Sequence, residues 1–310
     1  MKVCYFIQTH KNPTQIYRLV RTIKTSSPTA QVLIGHDFNK CYLDMEPLKD
    51  LQEVYLLENT FPIIWGNFSL MQPYLNAIQW LLENNFEFDW LVYISGQDYP
   101  TQPLSKVEDF LAHTEYEAFM LYAEALSKQG YLLVDTPIER YFYQYYRPPK
   151  WARPLLKIPY KILIKIQSPT SPLRCWYHED FPIGLKVSKT PFDENFICYS
   201  SSSWYTFSRQ CIEYIAEFIS KNSSVIDYYK RTIEPDESLI ATILANSKQF
   251  KICNDHKRYI EFPKGNPHPR TLTEKDYSTL TNGTFHFARK FEQDSKILDM
   301  LDAHIFQLPT

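Results

Sequence analysis

The amino-acid sequence predicts an α/β protein with a mostly parallel central sheet flanked by helices. Two observations lead to this prediction. Short apolar runs alternate with segments of helical periodicity through residues 2–94, which is typical of parallel strands joined by crossover helices. The chain also has 310 residues, of which 44% are hydrophobic and 22% are charged, so it has enough apolar material for a full core.

The first six elements follow one another in order. Apolar runs of strand length occupy residues 2–7, 31–34, 53–57 and 90–94. Apolar residues at helical spacing predict helices over residues 13–23 and 69–84. We expect Asn12 to cap the first helix, with Pro13 at its first position, and Ser69 to cap the second.

The alternation resumes after residue 200. An apolar run over residues 204–207 leads into a helix over residues 209–220. Pro235 is expected to open another helix, and the last helix is expected over residues 295–304.

Residues 140–178 interrupt this pattern. They contain eight Lys and Arg residues, no acid, and many interleaved aromatic residues. Two interpretations remain open, a solvated proline-rich insertion or an element that contacts a membrane surface or an acceptor molecule. Pro159 argues against one straight helix in this segment.

Composition excludes several classes of protein. The net charge of −2 gives no reason to expect nucleic-acid binding. The six cysteines show no Cys-x-x-Cys spacing, which favours free thiols in a reducing cytoplasm over a zinc cluster or a disulfide framework. No apolar run approaches the roughly 18–20 residues of a membrane span. We therefore expect a cytoplasmic protein, which could be peripheral at the inner face of a membrane.

Polar side chains follow three of the predicted strands. His10, Asp37 and Asp98 each come shortly after an apolar run. Parallel α/β sheets bind ligands beyond the carboxyl ends of their strands, so these side chains are candidates for a binding site. Asp98 has no second acid beside it, because Ser95, Gly96 and Gln97 precede it. It is therefore only half of the Asp-x-Asp pattern that commonly holds a metal.

Glu237 is the first candidate for catalysis. It lies in the first turn after Pro235, where helix amides are expected to favour an ionised carboxylate. Such a group suits a base that takes a proton from a hydroxyl, although acids in a first turn are commonly no more than caps. Asp236 is adjacent, so the two side chains are expected to diverge rather than to face each other as in a glycoside hydrolase.

Cations near the end of the chain are the second candidate. Lys290 could neutralise a diphosphate as a point charge, and Arg270 could bind it with two parallel hydrogen bonds. The alternative is that Arg289 and Lys290 are a pair of surface cations over a small, separate hydrophobic cluster.

Eight short segments in sequence carry a resemblance to a known family. They are FIQTHKNPTQIYRLVRTI, IGHD, WGNFSL, YISGQDYP, SSSSWYTFSR, EPDESLIATIL, KRYIEF and FHFARKF. This series resembles the core 2/I-branching β-1,6-N-acetylglucosaminyltransferases and the related peptide O-xylosyltransferases, over residues 3–302. The lack of a recognisable membrane anchor suggests a bacterial member.

The resemblance implies a fold and an activity. The fold is the GT-A-type, Rossmann-like glycosyltransferase fold in a single catalytic domain over residues 1–310. Residues 1–138 would mainly form the nucleotide-sugar half, 139–180 the basic aromatic insertion, and 181–310 the acceptor and catalytic half. The activity is inverting transfer of GlcNAc or xylose from a UDP-sugar to a hydroxyl of a glycan or glycolipid acceptor, which forms a β-linkage. No cofactor and no divalent metal are expected.

The resemblance also assigns site residues. Glu237 would be the catalytic base, and Lys290 and Arg270 would bind the diphosphate. Further residues are expected to bind the donor, namely Gln8, His10, Asp37 and Asp98. Others are expected to contact the acceptor, namely Arg140, Trp204 and Phe262, the last of which stands where the family has a tryptophan. Asp98 could instead order its own loop.

Three alternatives remain open. A non-catalytic protein that binds a UDP-sugar or a glycan would bind UDP without transfer, and a metal-dependent transferase would lose its activity in EDTA. A glycoside hydrolase would need two facing carboxylates.

Overall fold

The protein is described by a computed structural model over residues 1–168, 171–176, 178, 180–263 and 268–307. Within these residues the helices are α1 (Pro13–Ser26), α2 (Gln72–Glu83), α3 (Leu104–His113), α4 (Lys128–Leu133), α5 (Pro137–Tyr141), α6 (Arg153–Ile166), α7 (Arg209–Lys221), α8 (Ser223–Tyr229), α9 (Leu239–Ser247), α10 (Tyr277–Asn282) and α11 (Lys296–Ile305). Short 3-10 turns occur at Glu46–Leu48, Phe68–Leu70, Pro235–Glu237 and Glu274–Asp276.

The strands of the described residues are β1 (Val3–Thr9), β2 (Gln31–Asp37), β3 (Val54–Asn59), β4 (Trp90–Ser95), β5 (Asp98–Pro100), β6 (Ala118–Phe119), β7 (Tyr122–Glu124), β8 (Tyr143–Tyr146), β9 (Leu173–Cys175), β10 (Ile183–Lys186), β11 (Tyr199–Ser201), β12 (Thr206–Ser208), β13 (Ile252–Cys253), β14 (Arg258–Ile260) and β15 (Phe287–Arg289).

The central sheet has seven strands in the order β13-β6-β12-β4-β1-β2-β3. The pairs β4-β1, β1-β2 and β2-β3 are parallel, as is β13-β6, and only β12 runs antiparallel to its neighbours. One face packs on a core that includes α1, α3 and α11, and the other packs on α2, α7 and α9. The predicted α/β class, with a mostly parallel sheet and flanking helices, is therefore confirmed.

The predicted strands and helices of the first 95 residues are present with small shifts at their ends. Two caps differ from the prediction. Asn12 precedes α1 with a left-handed backbone (φ 54°), and its side chain makes no capping hydrogen bond. Ser69 lies in a 3-10 turn before α2, where its hydroxyl accepts a hydrogen bond from the Ile64 N–H at 3.0 Å. The expected cap at Ser69 is therefore wrong.

The basic insertion is folded into regular secondary structure. It contains α5, β8, α6 and β9, and β8 and β9 flank β10 in a small antiparallel sheet. Helix α6 runs from Arg153 to Ile166 and includes Pro159, and the prediction that this helix is not straight stays a prediction. Leu155, whose carbonyl loses its partner at Pro159, lies on the exposed side of α6, where water can satisfy it. Residues 169, 170, 177 and 179 of the predicted insertion lie outside the described residues.

Two further findings concern the membrane and the cysteines. No helix in the described part of the chain combines the length and the apolar character that crossing a bilayer requires. All six cysteines are free thiols in this structure.

Candidate functional site

A cleft of about 280 Å³ opens where the carboxyl ends of β1 and β4 meet. The residues after β1 form one part of its wall, and the Ser95-Gly96-Gln97 turn after β4 forms another. The remaining wall comes from distant parts of the chain, with the lining residues Trp65, Leu70, Tyr93, Ser203, Trp204, Asp236, Glu237, Ile260, Phe262, His268, Pro269 and Arg289. A cavity therefore lies at the strand ends, where the sequence predicted a binding site.

Glu237 reaches this cleft from the 3-10 turn that precedes α9. Its side chain is 34% exposed, and its Oε2 lies 2.8 Å from Nη1 of Arg140. Burial raises the pKa of Glu237 to about 7, against the opposing charge of Arg140 and with help from the neighbouring Asp236. Desolvation therefore acts against the predicted effect of the helix amides, which was to favour the ionised carboxylate. A carboxyl that titrates near neutrality is well matched to proton transfer.

Arg140 lies behind Glu237 and does not line the cleft. It is 8% exposed and is surrounded by three acids, with Nη2 at 2.5 Å from Asp135 and Nη1 in contact with both Glu234 and Glu237. Its guanidinium also lies 5.6 Å from the ring centre of Trp176. The structure therefore does not bring Arg140 to the wall of the cleft, and its contact with an acceptor stays a prediction. Its charge is used within the protein, where it positions the Glu237 carboxylate.

Asp236 has partners different from those of Glu237. Its Oδ2 accepts a hydrogen bond from the Ser203 hydroxyl at 2.7 Å, and its backbone carbonyl accepts one from the Tyr205 hydroxyl at 2.6 Å. Burial raises the pKa of Asp236 as well. The two adjacent carboxylates are thus held by separate groups, as expected from their positions in the chain.

Asp98 orders the turn after β4. It is 1% exposed, and its Oδ2 accepts a hydrogen bond from the Ser95 N–H at 2.5 Å. Its Oδ1 lies 3.6 Å from Nε of Arg289, which is its register partner across β5 and β15. Asp98 itself does not line the cleft. Of its two predicted roles, these contacts favour the ordering of its own loop.

Arg289 is the cation of the C-terminal motif that faces the cleft. Its guanidinium carbon lies 4.1 Å from the ring centre of Trp204, a distance suited to a cation–π contact. Lys290 follows β15 and does not line the cleft, although its backbone carbonyl accepts a hydrogen bond from Leu272 at 2.9 Å. Lys290 lies just beyond the three-residue strand β15, so alternation along a strand could not have shown from the sequence which of the two cations faces the cleft.

Arg270 is engaged outside the cleft. Its guanidinium contacts both oxygens of Asp276, at 2.8 and 2.5 Å, and Glu261 at 2.5 Å. Asp276 in turn forms a capping box with Thr273 at the turn that leads into α10. The structure therefore does not bring Arg270 to the place where a diphosphate was predicted to bind.

The other predicted donor residues divide into two groups. Gln8 and His10 line the cleft, and Gln8 is held by a bond from its Nε2 to the Leu70 carbonyl (2.9 Å) and by the Tyr93 hydroxyl (2.6 Å). Burial lowers the pKa of His10. Asp37 is buried at the end of β2, where its Oδ1 accepts a hydrogen bond from the backbone of Asn39 at 3.0 Å, and it does not line the cleft.

Aromatic side chains form the rim of the cleft. The predicted acceptor residues Trp204 and Phe262 both line it, and Phe262 is 58% exposed. Trp65, which is 51% exposed, also lines it and was missed from the sequence because a single tryptophan in a loop carries no periodic signal. Exposed aromatic rings of this kind suit the apolar faces of sugars. Among the described residues, no group of three or more His, Cys, Asp or Glu side chains is arranged to hold a metal ion.

Comparison with known proteins places the chain in a family. The profile of the Core-2/I-Branching enzymes matches residues 3–130 and 168–286, and the chain belongs to this family. This confirms the resemblance found in the sequence motifs.

Individual relatives are distant. The β-glucuronosyltransferase GlcAT14A of Arabidopsis thaliana is 22% identical over 255 residues, which is 80% of this chain and 50% of the plant protein. The xylosyltransferase oxt of Drosophila melanogaster is 25% identical over 257 residues, 79% of this chain and 24% of the insect protein. The chain thus spans about half of the plant relative and a quarter of the insect one. Among solved structures, the galactosyltransferase LgtC aligns over 100% of this chain and 97% of its own, with a TM-score of 0.38 and 9% identity.

Proposed function

We propose that this protein is an inverting glycosyltransferase that moves GlcNAc or xylose from a UDP-sugar to a hydroxyl of a glycan acceptor without a divalent metal. One observation carries the proposal. Glu237, a carboxyl with a pKa of about 7, is presented in a cleft at the strand ends by the buried cation Arg140, in a chain of the Core-2/I-Branching family. The name of the plant relative adds glucuronic acid as a third donor sugar to be tested.

The proposed reaction is a single displacement. The acceptor hydroxyl oxygen attacks C1 of an α-linked UDP-sugar while the Glu237 carboxylate takes the hydroxyl proton. The bond between C1 and the diphosphate oxygen breaks on the opposite side, and UDP leaves with the electron pair. The new glycosidic bond therefore has the β configuration.

The charge on the leaving diphosphate needs cations in the cleft. We assign this role to Arg289, which lines the cleft and is oriented by Asp98 and Trp204, with Lys290 next to it in the chain. Arg270 is engaged by two acids, so we assign it a structural role instead. A well-placed donor of this kind is typically worth about 3–4 kcal/mol in the transition state, so loss of Arg289 should lower turnover about 10²-fold or more. Loss of Lys290, which lies outside the wall of the cleft, should lower turnover less.

The two substrates would enter from different walls. Gln8 and His10 lie beside the β1 end and are proposed to contact the donor, with Asp37 behind them at the β2 end. Trp204, Phe262 and Trp65 are proposed to hold the acceptor against their rings.

The test is a panel of UDP-GlcNAc, UDP-xylose and UDP-glucuronic acid with oligosaccharide acceptors, followed by UDP release and product mass. We expect one donor to be used in the presence of excess EDTA. Glu237→Gln should retain UDP binding in calorimetry and lose transfer, because its amide accepts no proton. Retained transfer in that variant would rule out Glu237 as the base.

A matched control uses the exposed acidic partner of Arg140. Asp135 contacts the same guanidinium but is 83% exposed, so Asp135→Asn should leave transfer nearly unchanged. An equal loss in both variants would show that the general charge around Arg140, rather than the Glu237 carboxylate, determines activity.

A further inference from the structure

Helix α6 exposes a continuous apolar stripe to solvent. Four aliphatic residues follow each other at spacings of three, four and four positions, so they lie on one face of the helix. They are Leu155 (75% exposed), Ile158 (73%), Ile162 (54%) and Ile166 (70%). The one buried side chain of α6 is Tyr160, on the opposite side. We call these four residues the outer stripe.

A row of cations runs beside the outer stripe. Lys157, Lys161 and Lys165 are spaced four residues apart and are all exposed. Lys150 and Arg153 add positive charge at the start of the helix, and residues 150–167 contain no acid. The chain as a whole has a net charge of −2, so this positive charge is local. Trp151, 76% exposed, precedes the helix on the same segment.

The outer stripe is held in its exposed orientation by the fold. The Tyr160 hydroxyl lies 2.6 Å from the Trp176 carbonyl and 2.7 Å from that of Pro182. At the end of the helix, Gln167 makes hydrogen bonds to both the N–H and the carbonyl of Cys175. Rotation of α6 to bury its aliphatic side chains would break all of these bonds. Exposure of the outer stripe is therefore a property of the folded protein.

We propose that this face of α6 is a docking surface for an anionic lipid membrane. A helix with aliphatic residues on one face, lysines beside them and a neighbouring tryptophan has the composition of helices that lie in the headgroup region of a bilayer. The aliphatic side chains would enter the acyl boundary, and the lysines would contact lipid phosphates. A second copy of this chain fits less well, because pairing two such faces brings like charges together.

Within residues 140–178, the proposed membrane contact is assigned to α6 and Trp151 alone. Arg140, Tyr143 and Tyr145 of that segment are buried in the protein, and the face left for a membrane is that of α6 with Trp151. The helix also packs on the segment that holds Trp176, whose ring contacts Arg140 behind Glu237. The docking surface and the candidate base thus belong to one connected part of the molecule. The proposal needs no sugar transfer, and its test measures binding alone.

The test is sedimentation of the full chain with vesicles of neutral phosphatidylcholine, with and without about one third anionic phosphatidylglycerol. We compare the wild type with Ile158→Gln/Ile162→Gln and with Lys157→Gln/Lys161→Gln/Lys165→Gln. A charge-matched control replaces three exposed lysines elsewhere, Lys248, Lys275 and Lys296, with glutamine. An apolar control replaces Leu132, which is 79% exposed in α4, with glutamine.

We expect binding to the anionic vesicles that weakens as salt is raised. Each lysine near an anionic surface contributes about fivefold, so the α6 lysine variant should bind about 100-fold more weakly. The isoleucine variant should lose at least tenfold through lost apolar burial, and both controls should bind like the wild type. All substituted side chains are exposed, so the thermal unfolding midpoints should stay the same.

Three outcomes would overturn the proposal. The first is equal binding by the α6 variants and the wild type. The second is an equal loss in the charge-matched control, which would make the attraction nonspecific. The third is a dimer in solution that the Ile158→Gln/Ile162→Gln variant dissociates, which would show that a second copy covers the outer stripe.

Discussion

The buried cation Arg140 offers the sharpest test of how the site is held together. Its side chain is 9% exposed, and that of its partner Glu234 is 7% exposed. Replacement by methionine keeps an unbranched apolar side chain of similar volume and removes the guanidinium, with its charge and its hydrogen-bond donors. The Glu234 carboxylate would then be buried without its cation, and Glu237 would lose the group that orients it.

The magnitude follows from the burial of the partners. Removing one member of a buried ion pair typically costs about 3–5 kcal/mol, because the remaining charge is uncompensated. Asp135 is 83% exposed and adds at most about 1 kcal/mol. We therefore expect Arg140→Met to lower the free energy of unfolding by about 3–5 kcal/mol, most of it through Glu234.

Urea denaturation at pH 7.5 measures this change. The double variant Arg140→Met/Glu234→Gln should recover a large part of the loss, because it replaces a charged pair by neutral groups of similar volume. Asp135→Asn, which also removes one partner of Arg140, should change stability by less than about 1 kcal/mol. A loss of under 1 kcal/mol in Arg140→Met, or a double variant no more stable than the single one, would refute this account of Arg140.

Three further predictions concern the site. The carboxylate form of Glu237 is the active base, so kcat/KM should rise with pH through an apparent pKa of about 7. A rise of kcat/KM through an apparent pKa near 4.5 would contradict the desolvation of this carboxyl. Trp204→Leu removes the ring under Arg289 and should weaken UDP binding about 2- to 30-fold in calorimetry, whereas Trp151→Leu, just before α6, should leave UDP binding unchanged. Arg270→Ala should lower the unfolding midpoint, because Asp276 loses its partner, and should change UDP affinity little. A loss of UDP binding without a loss of stability would instead support the predicted role of Arg270 in diphosphate binding.

The sequence predicts the regular elements of the fold better than the short ones. β1, β2 and β4 bury nearly continuous apolar runs, β3 has an apolar run that is half-buried, and the helices α1 and α2 between them have clear helical periodicity. The strands from β5 onward have two to four residues, too few for a periodicity to show. Their positions depend on contacts between distant residues, which no local pattern records.

The same limit applies to the candidate site. Glu237 was identified from its motif and lies in the cleft, but its pairing with Arg140 joins residues 97 positions apart and could not be read from either one. Lys290 was chosen over Arg289 by motif, whereas the structure places Arg289, and not Lys290, in the wall of the cleft. For Arg270, charge alone suggested a ligand, and the two nearby acids that engage it became visible only in the structure.

The three acids around Arg140 explain how Glu237 can be positioned by a cation and still have a raised pKa. A single buried cation paired with one carboxylate would lower the pKa of that carboxylate and weaken it as a base. Here the same guanidinium also contacts Glu234 and Asp135, and the negative charges of Asp236 and, to a smaller extent, Asp135 oppose its attraction for Glu237. Desolvation then outweighs the remaining attraction, and the pKa of Glu237 rises to about 7. The orientation and the proton affinity of the base are thus determined by different causes. Arg140 fixes the orientation of the Glu237 carboxylate, and burial determines its proton affinity.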